Sequence, residues 1–278
     1  MNLQNKPRKK GLLNIDSRII WLLLLFFVGI PLVRPIGIPI QVSPNTREFY
    51  EILTEQRGIT IALALDTDPA GLAELGPQIS AILKIARDYD LKVVMVGWNS
   101  NSGMFANTYL TEVFSDVWNS QYGINFVNLG YVPGMETGMK QFAEDIWSIE
   151  QDHYGTRLEN LPMMEDIRTA SDIDYLIECC WNLDYPNSIM RQFVAPGYTK
   201  MLAASTALVY PALLPFIGPD RPIKSAIKGM DGAAQLELVS NHPGLAIAGT
   251  DAQSLAHVLI IIFIAIGNLG LFFKREET

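Results

Sequence analysis

The sequence is poor in the residues and motifs that most often carry metal, redox or phosphate chemistry. Its 278 residues include two cysteines, Cys179 and Cys180, and this adjacent pair matches no zinc-binding spacing. The glycine patterns that cradle phosphates, G-x-G-x-x-G after a strand and G-x-x-x-x-G-K-[ST], are absent. Of the three histidines, His257 lies in a hydrophobic run and His242 beside Pro243, and His153 has no obvious serine or cysteine partner in sequence. These gaps disfavour a zinc site, a nucleotide site and nucleophilic catalysis, and we predict no cofactor.

Positive charge is also scarce in the central part of the chain. Residues 41–250 hold 13 Lys and Arg against 25 Asp and Glu. Nucleic acids and anionic lipid surfaces attract clustered positive charge, so neither is expected to bind this segment.

Two long hydrophobic runs flank that acidic segment. Leu255–Phe273 has 19 residues and no Lys, Arg, Asp or Glu, which is close to the roughly 20 residues of a membrane-spanning helix. Ile19–Val33 has only 15 residues, and a proline-rich stalk extends it to residue 40. This first run is either an uncleaved anchor or a signal peptide. The lack of a small-x-small cleavage site after it favours the anchor.

The basic residues near the two runs predict the topology. Lys and Arg lie before the first run and directly after the second, at positions Lys6, Arg8, Lys9, Lys10, Arg18, Lys274 and Arg275. By the positive-inside rule, both termini are cytoplasmic. The predicted organisation is a basic tail (1–18), a transmembrane helix with its stalk (19–40), an extracytoplasmic domain (41–250), and a transmembrane helix with a short tail (251–278). The predicted location is the cytoplasmic membrane.

The central segment is predicted to fold as an α/β domain around the stretch Ile59–Gly71. Ile59–Leu65 is apolar on both faces, as in a central parallel strand covered by helices. Four further strands alternate with helical patterns, at Leu91–Val96, Ile124–Leu129, Tyr175–Cys180 and Thr199–Ala204. A final helix is predicted over residues 223–239. This alternation predicts a five-stranded, mostly parallel, Rossmann-like or flavodoxin-like sheet.

Polar side chains follow the ends of these predicted strands. Because the carboxyl ends of parallel strands share one edge, we expect them to form a ligand-binding edge. The candidate ligand-binding residues are Asp66, Asp68, Asn99, Asn101, Tyr131, Asn182 and Thr206.

Asp66 and Asp68 support an alternative function. A D-x-D after a buried strand could hold Mg²⁺ through carboxylate oxygens, and it resembles the first motif of haloacid-dehalogenase-like phosphatases. That resemblance implies a metal-dependent (phospho)hydrolase, although the later motifs of the family have no counterpart here. The simpler interpretation makes Asp68 the N-cap of a helix that begins at Pro69.

Two features predict contacts with other chains. The stretch Ala207–Gly218 is too apolar for a free surface loop, and its prolines and glycine are expected to prevent a helix. His257 and Asn268 lie three turns apart on one face of the second hydrophobic run, where polar groups favour protein over lipid. The predicted interface residues are Leu213, Phe216, His257 and Asn268.

Three segments, 128–146, 154–177 and 208–237, carry a family resemblance. They include NLGYVPGMETGMKQFAEDI and LVYPALLPFIGPDRPIKSAIKGMDGAAQLE. They resemble a group of uncharacterised prokaryotic membrane-anchored proteins with a Rossmann-like extracytoplasmic domain, which supports the topology and implies no activity. We therefore expect a non-catalytic, membrane-tethered domain that binds a ligand or serves as a subunit of a membrane complex. Its expected partners are the lipid bilayer and either further copies of itself or other membrane subunits.

Overall fold

A computed structural model describes the backbone of residues 16–276 and the side chains of residues 16–269. The chain divides into two compact units. One unit, Ile40–Ile247, contains the sheet, and the other combines the chain up to Pro39 with the chain from Ala248 onward. Most of the predicted basic tail and the predicted short tail after residue 276 lie outside the described residues.

The sheet unit is a doubly wound α/β fold. All strands are parallel, and their order is β3-β2-β1-β4-β5-β6, with the chain reversing its winding direction between β1 and β4. Asp66 pairs with Cys180 across that central step. The six strands are Thr60–Asp66 (β1), Lys92–Gly97 (β2), Phe126–Tyr131 (β3), Tyr175–Cys180 (β4), Lys200–Ser205 (β5) and Ile223–Lys228 (β6).

The prediction of five strands is wrong, because Ile223–Lys228 is an edge strand and not the start of a helix. Ile223, Ser225, Ala226 and Ile227 are buried, whereas Lys224 is half-buried and Lys228 is exposed. The strand is the last in the sheet order and lies beside β5, so it forms one edge of the sheet. The sequence pattern assigned this short strand to the following helix, because the helix Gly229–Val239 begins directly after it.

Helices cover both faces of the sheet. All seven residues of β1 are buried, so its two faces enter two separate cores. Truncating a buried leucine such as Leu63 to alanine is expected to cost roughly 2–5 kcal/mol. The helices of the sheet unit are Pro44–Thr54 (α2), Leu72–Asp88 (α3), Ser102–Phe114 (α4), Trp118–Gln121 (α5), Met135–Glu144 (α6), Asp184–Ile189 (α7), Tyr210–Leu213 (α8) and Gly229–Val239 (α9).

The second unit contains two apolar helices, Ser17–Val33 (α1) and Leu245–Glu276 (α10), the second of which begins in the sheet unit. Among the described residues, one helix segment is long and apolar enough to cross a membrane, Leu245–Leu269. It starts ten residues earlier than the predicted span, because the apolar pattern before Leu255 also forms helix. The 17 residues of α1 are shorter, and an N-terminal span is not confirmed.

Candidate functional site at the carboxyl edge of the sheet

Asp66, at the end of β1, is fully buried. Its Oδ1 atom accepts backbone N–H bonds from Trp98 (2.5 Å) and Asn99 (2.9 Å), which begin the loop after β2. Burial raises the pKa of this carboxyl group to about 7, against the opposing effect of the two backbone donors. Asp66 thus joins the ends of two neighbouring strands.

Glu178, on β4, is a second buried acid beside Asp66, and the sequence analysis missed it. No other group donates to either Glu178 oxygen or to Oδ2 of Asp66, and the two carboxyl groups lie within hydrogen-bonding reach of each other. Burial raises the pKa of Glu178 well above its usual value, and the neighbouring charge of Asp66 raises it further. The sequence feature that could have identified Glu178 as a buried acid is its position within the apolar run YLIECC. The pair therefore favours protonated over fully ionised carboxyl groups.

Asp68 does not cap a helix that begins at Pro69, because α3 begins at Leu72 after Gly71. Its Oδ1 atom accepts the N–H of Gly71 at 2.9 Å and so closes the turn before the helix. Among residues 16–269, no group of three or more His, Cys, Asp and Glu side chains is arranged to hold a metal ion. The magnesium alternative stays a prediction.

The remaining polar candidates lie at the strand ends, where several of them stabilise turns. Oδ1 of Asn99 accepts the N–H of Asn101 at 2.9 Å, and Oδ1 of Asn182 accepts the N–H of Asp184 at 2.9 Å. Thr206 is buried, and its hydroxyl has no partner. Tyr131 is exposed, at the end of β3. The side-chain oxygens of Asn99 and Asn182 therefore already accept backbone hydrogen bonds.

The turns that follow β1 and β4 approach each other closely at Gly71. In doubly wound folds, the reversal of strand order is where ligands usually bind. Here a Cβ placed on Gly71 would lie 2.2 Å from Oγ1 of Thr67 and 3.2 Å from Cβ of Trp181. Trp181, just after β4, therefore packs against the turn that leads from β1 into α3. This close packing leaves little room for a phosphate group at that turn.

Large nonpolar side chains are exposed along the loops and helix starts that follow the strands. We call this set the carboxyl rim. Leu208, after β5, is 86% exposed and is the most exposed of them. Met135 has a left-handed backbone (φ 48°), which is unfavourable for a residue with a Cβ. The rim consists of Met104, Tyr131, Met135, Trp181, Leu183 and Leu208.

A cleft of about 360 Å³ lies beside the rim, between the starts of α6 and α7. Met135, Asp184 and Asn187 contribute to its lining. Its Glu136 carboxylate accepts two hydrogen bonds from the Arg191 guanidinium, both at 2.8 Å. Because Glu136 and Arg191 pair with each other, neither charge is left unpaired to bind a ligand in the cleft.

The prediction that Leu213 is an interface residue is wrong. Leu213 is 0% exposed and belongs to the core on one face of the sheet. The stretch around it forms α8 and a 3-10 turn, because Pro211 occupies the first helical turn, where proline is tolerated. Phe216 remains exposed on the same stretch. His257 and Asn268 are exposed on α10.

No family model and no curated protein sequence matches this chain. The fold itself defines the class of protein, which is a Rossmann-like α/β domain with one possible transmembrane helix. The resemblance to membrane-anchored proteins stays a prediction.

Proposed function

We propose that this protein is a membrane-tethered, non-catalytic α/β domain that acts as a subunit of a membrane complex and binds its partner through the carboxyl rim. The observation that carries the proposal is the exposure of large nonpolar side chains along the loops of one sheet edge. Exposed apolar patches on soluble domains are typical of protein contact sites.

The tether is supported by the composition and exposure of α10. Within its segment Leu245–Leu269, the 18-residue apolar window is only 11% buried, so most of that window's nonpolar surface is free to contact lipid. Lys274 and Arg275 directly follow the apolar stretch, and basic residues precede α1. By the positive-inside rule, this distribution supports a topology with both termini in the cytoplasm and the sheet unit outside it.

A binding role is favoured over a hydrolase at the same edge. An active site needs groups that converge on an open cleft. Asp66 is instead fully buried and accepts two backbone N–H bonds, and Gly71 in the turn after β1 lies close to Cβ of Trp181. The rim, by contrast, is open to solvent. A nonpolar surface on a partner subunit is therefore the best chemical match.

Leu208→Asp tests the rim in the full chain, expressed in its native membrane. The substitution is expected to release the protein from its complex, which is measured by particle size in mild detergent. Leu208 is exposed, so the free energy of unfolding is expected to change by less than about 0.5 kcal/mol.

Ile124→Asp is the matched control, because Ile124 is 49% exposed just before β3, at the opposite end of the strands. It is expected to leave the complex intact. Equal particle size for wild type and both variants, at the size of one chain, would refute the proposal.

A further inference from the structure

We infer that α10 carries a self-association surface, the α10 stripe, through which a second copy of this chain packs in parallel. This inference rests on the proposed membrane tether and names one partner of the complex. The α10 stripe consists of His257, Ile261, Ile264 and Asn268.

The four residues of the α10 stripe lie on one narrow face of the helix. Their spacing is four, three and four residues, which is the heptad spacing of helices that pack side by side with a small crossing angle. All four are exposed, including Ile261 at 64%. This face is therefore available to another helix.

The opposite face of α10 is already covered. Ala252 and Leu259 are both buried, and each lies about half a turn away from the α10 stripe. In the same region, the buried Asp251 accepts backbone N–H bonds from residues 36–38 of its own unit. A partner helix is thus expected on the α10 stripe and not on the covered face.

The polar ends of the α10 stripe favour an identical partner. A side-chain amide both donates and accepts, so Asn268 can pair with Asn268 of a second copy in the same register. Identical chains insert with the same orientation, which brings His257 near its own counterpart and each isoleucine against its equivalent. In lipid, such polar groups gain more from a protein partner than from hydrocarbon. One asparagine at a heptad position also fixes the register.

Oxidative cross-linking in native membranes tests the inference. Ile261→Cys is placed on the stripe, and Ile262→Cys, which is also exposed but lies about 100° further around the helix, is the matched control. Two differently tagged copies are co-expressed, and the parent chain controls for the buried Cys179 and Cys180. A disulfide-linked dimer that carries both tags is expected for Ile261→Cys and not for Ile262→Cys.

A second substitution tests the chemistry of Asn268. In the Ile261→Cys chain, Asn268→Leu is expected to reduce the cross-linked fraction about five-fold, whereas Asn268→Gln, which keeps the donor and acceptor, retains it. Equal cross-linking at 261 and 262, or a product that contains another protein, would overturn the inference. An alkaline wash separates the two proposals: loss of the chain from the membrane refutes the tether, whereas a retained chain that does not cross-link refutes only self-association.

Discussion

Buried acids occur in two contrasting settings in this protein. Glu237 and Asp251 lie beside loops and helix ends, and each accepts three backbone N–H bonds. Asp66 is the last residue of β1 and Glu178 lies within β4, and three of their four carboxyl oxygens have no donor other than the neighbouring carboxyl group. The difference follows from the backbone, because the N–H groups of a central strand are used by the sheet, whereas those of turns and helix starts are free to donate.

Glu237 shows how a charge is stabilised in the first setting. It accepts N–H bonds from Gly244 (3.0 Å), Ala246 (3.0 Å) and Ile247 (2.9 Å) around the start of α10. The first turn of a helix has unpaired donors and a positive dipole end, so a carboxylate there is favourable. Asp251 uses the same chemistry on an extended segment, with bonds of 2.7 to 3.0 Å to Ile36, Gly37 and Ile38.

The largest change in the free energy of unfolding is expected when the Glu237 carboxylate is removed. Glu237→Leu leaves three N–H groups without an acceptor and is expected to lower the free energy of unfolding by about 3 kcal/mol or more. Chemical denaturation of the full chain in mild detergent, followed by tryptophan fluorescence, measures it. Glu237→Gln keeps one acceptor oxygen, so its free energy of unfolding should fall by less than that of Glu237→Leu. A loss below about 1 kcal/mol for Glu237→Leu would show that the backbone donors find other partners.

Replacing Glu178 is expected to raise the free energy of unfolding, which is the opposite of the effect expected at Glu237. Glu178→Met removes two buried oxygens whose only nearby hydrogen-bonding group is the Asp66 carboxyl and fills a similar volume, so the free energy of unfolding is expected to rise by roughly 1–2 kcal/mol. The same denaturation experiment measures this change. A clear loss of stability would mean that Glu178 is stabilised by a contact of its carboxyl group, and the contrast with Glu237 would fail.

The smallest expected effect concerns pH. The pKa of Asp66 is raised from 3.8 to about 7 in the folded protein, and that of Glu178 is also raised. Between those values the folded state keeps protons that the unfolded state has released, so raising the pH from about 4 through 7 lowers the stability. Glu178→Met should make this fall of stability with pH shallower, because one of the two groups with a raised pKa is then absent. The free energy of unfolding is measured by denaturation at several pH values for the wild type and for Glu178→Met. If it changes with pH equally in both proteins, the raised pKa of Glu178 is contradicted.

Much of the sheet could be predicted from the sequence, because buried parallel strands are continuous apolar runs. Tyr175–Cys180 was predicted with its observed bounds, and Ile59–Leu65 was displaced by one residue from β1. Ile223–Lys228 was missed because an edge strand is half polar and runs directly into a helix. Local patterns therefore identified the central strands better than the edge.

The sequence alone determined the alternation of strands and helices, the apolar character of α10 and the acidic balance of the central segment, since these are local properties of composition and spacing. Only the tertiary structure decided which polar residues are accessible. It buried Asp66 and Leu213, brought Glu178 beside Asp66 and placed Trp181 against Gly71. These contacts join strands far apart in the chain, and their burial depends on the order of strands in the sheet, which no local pattern specifies.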